Sequence, residues 1–247
     1  MKELKFSNHA LWDHFVEMVR SVLATDGVAR ISHFVPDDNN TLLVKLANSL
    51  GSVTVEGVNV PGNVLENGFV HRIEERAEPL RDKFGFPIIS TTAQRFLCHT
   101  DHYFAKTPAD VVIFQCVRDD PLGGDSLVAP LAKILDILPE KHRLTLQECR
   151  FPAPLGAVAI LYLGAESMRI RYNRLEVDRA ASVANVSLTP AQCTALDSLD
   201  DAIEATQLRF HLQQAECLVM DNHRVLHGRT PLSPHSDRLL KRVRLSL

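Results

Sequence analysis

Two short stretches of this chain carry side chains that could do chemistry together. His99-Thr100-Asp101 stands near the middle, and Asp221-Asn222-His223-Arg224-Val225-Leu226-His227-Gly228-Arg229 lies close to the end. His99, Asp101 and His227 supply two imidazoles and one carboxylate, a set that binds a ferrous ion on one face and leaves positions open for oxygen chemistry. His99 and Asp101 are two apart, so on or just after an extended strand both side chains leave the same face, roughly 6 to 7 Å apart at the backbone. His227 follows the β-like run Cys217-Leu218-Val219-Met220 and stands beside the turn-favouring Gly228. A barrel can bring that strand beside the first pair. Three ligands are one fewer than a closed structural zinc site uses, and open positions signal catalysis. His223 and His227 are four apart, which on a helix would make a metal pair. Gly228, Pro231 and the β-rich run before them argue against a helix there. His102 falls on the opposite face from His99 and Asp101 and reads as a hydrogen-bonded surface or core histidine.

The last strand carries a second constellation. Arg238, Leu240, Arg242 and Arg244 share one face, and Leu239, Lys241, Val243 and Leu245 share the other. On an isolated strand the arginines would sit in water. In a barrel that encloses an acidic small molecule they would turn inward as fork-shaped anchors for carboxylates, and Lys241 would point outward.

The elements that must position these residues are readable from periodicity. Residues 8–23 place Ala10, Leu11, Phe15, Met18, Val19 and Val22 at helical spacing, with Gly27 as a stop signal; residues 28–34 read as a strand and 39–50 as a second helix ended by Gly51. Helices are thus expected to precede the sheet. From about Gly68 the pattern changes to short β-rich runs, at 69–73, 95–99, 111–117, 126–128, 158–163, 168–172, 208–213, 217–221 and 239–245. Pro, Gly, Asn and Asp clusters bound them, as an all-β sandwich or barrel requires. Helical inserts are expected at 131–147, which Pro139 would break, and at 189–206, where Thr189-Pro190 takes the cap and first-turn positions. The expected fold class is mainly β with flanking helices around a double-stranded β-helix (jelly-roll, cupin-like) core. One domain is expected over 1–247, with N-terminal elements in 1–60 and the jelly roll in 68–247.

Composition limits the partners. The chain has 247 residues, 45% hydrophobic and 23% charged, as in an ordinary globular protein. A formal charge of -3 and a pI near 6.4 argue against coating nucleic acid or an anionic membrane, which leaves a small molecule as the expected partner. No apolar run behind Met1-Lys2-Glu3-Leu4-Lys5 reads as a signal peptide and no stretch reaches spanning length, so a soluble, cytoplasmic protein is expected. The five cysteines are odd in number, scattered and never in a C-x-x-C arrangement, which disfavours a disulfide framework or a structural zinc site.

Taken in order, His99-Thr100-Asp101, Gly123-Gly124-Asp125-Ser126, His227 and Arg238-Leu239-Leu240-Lys241-Arg242 resemble the taurine dioxygenase and clavaminate synthase-like group of Fe(II)- and 2-oxoglutarate-dependent oxygenases. The likeness runs over roughly residues 95–247. It implies that His99, Asp101 and His227 bind Fe(II), that Arg238 holds the distal carboxylate of 2-oxoglutarate with help from Ser126, and that Arg242 meets an acidic group of the primary substrate. Ser126 stands where the group usually has Thr and keeps a hydroxyl. The resemblance further implies use of O2 with conversion of 2-oxoglutarate to succinate and CO2. The expected outcome is hydroxylation of an unactivated C–H bond, with desaturation, cyclisation or epoxidation as alternatives. Asp101 fills the position that halogenating members keep small, which disfavours halogenation.

Substrate residues are expected nearby. Arg95, four before His99, would point into the pocket beside Arg242 if the strand stays extended, or else pair with an acid such as Glu75. Gln94 and Tyr103 are further candidates, while Phe104, Phe114 and Tyr172 read as core. Two arginines suggest an anionic or amino-acid-like substrate, in specialised biosynthesis rather than sulfur scavenging. Residues 59–78 have loop composition and are expected to form part of a lid. The competing readings are a ferrous oxygenase or metal hydrolase that does not use 2-oxoglutarate, and a non-catalytic cupin-like sensor of a metal or metabolite; neither needs a dicarboxylate clamp at Arg238 and Ser126.

Overall fold

The computed structural model describes residues 1–7, 9–54, 63 and 65–247. In the first half the strands are β1 (Lys2–Lys5), β2 (Val28–Ser32), β3 (Ser52–Val53), β4 (Leu65–Glu66), β5 (Val70–Ile73), β6 (Phe96–His99), β7 (Val111–Arg118) and β8 (Ser126–Pro130). In the second half they are β9 (Phe151–Ala153), β10 (Gly156–Val158), β11 (Leu161–Leu163), β12 (Met168–Ile170), β13 (Leu208–Phe210), β14 (Cys217–Asp221), β15 (Val225–Arg229) and β16 (Leu239–Ser246). The helices are α1 (Trp12–Asp26), α2 (Thr41–Leu50), α3 (Leu131–Ile137), α4 (Glu140–Glu148), α5 (Arg174–Val183) and α6 (Pro190–Thr206).

Two sheets form the jelly-roll core. The larger runs β1-β2-β14-β7-β16-β5-β4, with β3 also against β16, and the smaller runs β13-β8-β15-β6. Val112, Phe114, Val128, Leu218, Met220 and Leu240 fill the space between them. Alternate residues on the same strands, Ile113, Val219 and Val243, face the other way and pack under α1 and α2. The smaller sheet is covered in turn, Leu127, Ala129 and Leu226 meeting Ile134 of α3, Leu146 of α4 and Leu196 of α6. Burial on both faces is why β7 and β14 read as continuous apolar runs rather than as an alternation.

Most local signals act where the sequence places them. Gly27 ends α1 at φ 74 and its N–H donates to the Leu23 carbonyl, the left-handed stop that favours glycine. Pro139 divides the third helical region into α3 and α4, and Thr189 and Gln192 close a capping box at the start of α6.

The N-terminal region differs from expectation. Helices do not simply precede the sheet, because β1 and β2 pair in parallel at the edge of the larger one. Only Leu4 of β1 is buried, so this short edge strand carries almost no apolar signal. Of the expected lid, residues 59–62 and 64 lie outside the described residues, and 65–66 and 70–73 form β4 and β5 at the opposite edge of that sheet. Lys241 points outward from the barrel on the face of Val243 and Leu245, as expected, but is buried there, its Nζ donating to Asn40 Oδ1 at 2.5 Å and pairing with Glu66 at 3.0 Å. Among the described residues no helix is long and apolar enough to cross a membrane.

Candidate active site

His99 is the last residue of β6, and His227 lies on β15 directly opposite it in register. Gly228 makes that close pairing possible, since a Cβ there would sit 2.5 Å from the Phe96 carbonyl oxygen. Asp101 follows two residues after His99, and the ligand atoms of His99, Asp101 and His227 all lie within 4.8 Å of one another. Asp101 Oδ1 is 3.6 Å from His99 Nε2 and 3.5 Å from His227 Nε2. His99 Nδ1 contacts the Leu97 carbonyl at 2.9 Å, which puts a proton on Nδ1 and turns Nε2 toward Asp101. His227 is buried with neither ring nitrogen hydrogen-bonded among the described residues, and burial pushes its pKa down to about 4, so the ring is neutral. Nitrogens of two imidazoles and an oxygen of a carboxylate therefore converge on one point, the kind of donor set that holds a small cation. The donor set suits Fe(II).

The backbone around the triad is clamped. Asn222, in the turn between β14 and β15, accepts from the Asp101 N–H at 2.8 Å and donates to the carbonyls of Asp101 and Ala109 at 2.9 Å each. Thr100 and Tyr172 exchange main-chain and side-chain bonds on the other side, with Thr100 N–H on the Tyr172 carbonyl at 2.8 Å and Tyr172 N–H on Thr100 Oγ1 at 2.9 Å. Asn222 is the positioning residue that the spacing of histidines and acids does not disclose; its place directly after Asp221 in the second stretch is the only hint.

Arg242 and Arg244 project from β16 onto Asp101 Oδ2, Arg242 through Nη1 at 3.2 Å and Arg244 through Nε at 2.6 Å. Burial alone would raise the Asp101 pKa, but these two guanidiniums hold it well below the usual carboxylate range. Both arginines thus face inward, as a barrel reading requires. Arg238, just before β16, is also buried, yet among the described residues its guanidinium has neither a hydrogen-bond nor an ion-pair partner within 4 Å. Gly124 gives it room, since a Cβ there would lie 2.9 Å from Arg238 Cδ, and its φ of +65 favours glycine independently.

Two adjoining cavities meet at the triad. The narrower, about 50 Å³, is lined by Ser126, Arg238, Leu240, Phe114 and His227; the wider, about 370 Å³, is lined by Asp101, His102, Arg244, His71 and Glu176. His99 and Arg242 line both. Tyr103 lines the wider one, but its hydroxyl donates to the Pro152 carbonyl at 3.4 Å. Phe114 is core between the two sheets and also forms part of the narrower cavity's wall, Phe104 packs against the core and lines the wider cavity, and Tyr172 is core and donates to Asp200.

Arg95 and Gln94 do not reach the site. Both are exposed, Arg95 pairs with Glu204, and neither lines either cavity. β6 begins at Phe96, so the extended geometry that would align Arg95 with His99 stops one residue short. His102 has φ 53 and lines the wider cavity with Nδ1 buried and without a hydrogen-bond partner among the described residues, unlike a hydrogen-bonded core histidine.

Comparison with known proteins agrees with this geometry. The chain is 28% identical over 159 residues to L-asparagine oxygenase of Streptomyces coelicolor (strain ATCC BAA-471 / A3(2) / M145), a match that takes in 59% of this chain and 46% of that relative, under half its length. Asparagine oxygenase in complex with Fe(II), 2S,3S-3-hydroxyasparagine and succinate superposes at a TM-score of 0.70 with 18% identity, covering 96% of this chain and 79% of the other. The non-heme iron oxygenase OrfP in complex with Fe and alpha-ketoglutaric acid gives 0.69 with 20% identity over 97% and 80%. At such identities the structures establish a shared fold. The family model for taurine catabolism dioxygenase TauD, TfdA family, matches residues 2–150 and 163–244, almost the whole chain, and the chain belongs to that family.

Proposed function

We propose that this protein is an Fe(II)- and 2-oxoglutarate-dependent oxygenase that hydroxylates an aliphatic carbon of a small amino-acid-like or carboxylate-bearing metabolite, in biosynthesis, within a single catalytic domain. The observation that carries the reading is the convergence of His99 Nε2, Asp101 Oδ1 and His227 on one point beside the unpaired, buried Arg238. A buried guanidinium without a partner is costly, and a carboxylate is its natural complement. A metal-binding sensor or a hydrolase on the same barrel has no use for that group.

His99, Asp101 and His227 hold the metal. Bound Fe(II) with 2-oxoglutarate supplies the activation of O2, and succinate and CO2 are the by-products. Arg238 fixes the distal carboxylate of 2-oxoglutarate by charge-assisted bonds, and Ser126 adds a hydroxyl donor on the same wall. Phe114, Leu218, Met220 and Leu240 keep water from that cavity, which strengthens the pairing. Asp101 stays ionised because Arg242 and Arg244 flank it. The wider cavity receives the primary substrate with Arg242 at its inner end, so the reacting carbon is chosen by how the substrate is held rather than by its intrinsic reactivity. Two kinds of relative support an amino-acid-like substrate: asparagine oxygenase is seen with 3-hydroxyasparagine, and OrfP with succinate and (3R,4R)-dihydroxy-L-Arg.

Anaerobic addition of Fe(II) and 2-oxoglutarate should give the weak visible charge-transfer band of the chelate, and O2 with a panel of amino acids should give substrate-stimulated succinate. If neither the band nor succinate is found, the reading fails.

A further inference from the structure

The wider cavity carries more positive charge than its own residues neutralise. Arg242 and Arg244 both pair with the same oxygen of Asp101, so one carboxylate serves two guanidiniums. Arg242 Nε is buried with no hydrogen-bond partner among the described residues. The acids elsewhere on the wall are already engaged: Glu176 pairs with Arg179 at 3.2 Å, and Asp82 accepts the backbone N–H groups of Phe84 and Phe86 at 2.9 Å each. His71, 3.3 Å from Arg244 Nη1, and His102 complete the inner end and bring no carboxylate to it.

We infer that Arg244, by adding a second guanidinium beside the Arg242 already expected to meet an acidic group of the substrate, makes the site selective for a primary substrate with net negative charge, such as an acidic amino acid or a small dicarboxylate, over its amide. This rests on the oxygenase reading for the identity of the site. It departs from what the relatives' complexes contain, since 3-hydroxyasparagine carries a neutral side chain and the hydroxylated arginines a cationic one. Two planar forks on one carboxylate or sulfonate discriminate against its amide, because the amide leaves one guanidinium unpaired in a buried wall and turns N–H groups toward donors.

The test is a binding comparison on the intact protein loaded anaerobically with Fe(II) and 2-oxoglutarate. Matched acid and amide probes, L-aspartate with L-asparagine and L-glutamate with L-glutamine, are titrated by calorimetry and by perturbation of the visible band, with L-arginine as the cationic probe. The expected result is at least a tenfold preference for the acid in one or both pairs and weaker binding of L-arginine. Arg244→Gln should collapse that acid-to-amide ratio toward one, and Arg244→Lys should keep part of it; a residue that merely supported the fold would weaken acid and amide alike. No preference in either pair, or L-arginine binding as tightly as the acids, overturns the inference while a band with 2-oxoglutarate leaves the oxygenase reading intact. An unchanged ratio in Arg244→Gln likewise overturns the role of Arg244. Acid preference without a band would uphold the anion-binding wall and sink the oxygenase reading, so the two fail separately.

Discussion

The two cavities that meet at His99 and Arg242 are built on different plans. The narrower one is walled by strands of both sheets, with Phe114 on β7, Ser126 on β8, His227 on β15 and Leu240 on β16; of the arginines that line it, Arg229 is bonded to backbone carbonyls and Arg242 to Asp101, whereas the Arg238 guanidinium has no partner among the described residues. The wider one is walled largely by segments between strands and by α5, where Glu176 pairs with Arg179, while at its inner end Arg242 and Arg244 share the one carboxylate of Asp101. A site on rigid strands holds one fixed shape, while a wall of loops and a helix can change with sequence at little cost to the core. That division fits a co-substrate common to many enzymes in the first cavity and a particular substrate in the second.

Removing the unpaired guanidinium of the narrow cavity should produce the largest separation between the two. Arg238→Ala is expected to raise the 2-oxoglutarate requirement by about a hundredfold or more, the scale of a lost buried ionic anchor. Fe(II) binding to the protein without 2-oxoglutarate should stay near the wild-type value. Titrations of each ligand would show this, and an equal loss of metal affinity would mean that Arg238 shapes the triad rather than the co-substrate cavity.

Asn222 is expected to have the opposite signature. Asn222→Ala frees the Asp101 main chain, and loss of such an outer-shell partner typically costs about 10- to 100-fold in metal affinity. Arg238 would remain in place, so 2-oxoglutarate should still bind once metal is supplied in excess. Wild-type metal affinity in Asn222→Ala would show that Thr100 and Tyr172 hold Asp101 unaided.

The contrast between cavities also explains what could be read in advance. Strands β7 and β14 are buried on both faces and announce themselves as apolar runs, and on β16 and just before it the inward face of Arg238, Arg242 and Arg244 follows from the two-residue period. β15 is just as regular, but its run Val-Leu-His-Gly-Arg spends its middle positions on the site and so carries little strand signal. α5 was equally hidden, with only Val177 buried along its length. The triad was legible because its residue types are few and its spacing is constrained. The walls of the wider cavity were not, because α5, residues 81–89 and β5 are brought together only by the closed fold. Arg95 shows the limit of the period: its alignment with His99 assumed a strand that begins one residue too late.

The smallest expected effect concerns how firmly the narrow cavity is held. Asp120 ties the segment before β16 to the end of β7, accepting from Ser233 N–H and Oγ at 2.7 Å each and from the Leu122 N–H at 3.1 Å. Burial opposes ionisation of Asp120, but these donors prevail and lower its pKa to about 2 from an ordinary value of 3.8. A carboxyl whose pKa is depressed on folding adds stability that is complete above the ordinary value and disappears as pH falls through the folded value. Asp120→Asn should therefore cost about 1 to 2 kcal/mol at neutral pH, as expected for hydrogen bonds to a charged acceptor. The deficit should shrink steadily as the pH is lowered from about 4 toward about 2, where the wild-type carboxyl is itself protonated. Urea unfolding across that range measures it directly. A deficit independent of pH would mean that the segment is held by its shape and not by the charge of Asp120, and the narrow cavity would then owe its rigidity to packing alone.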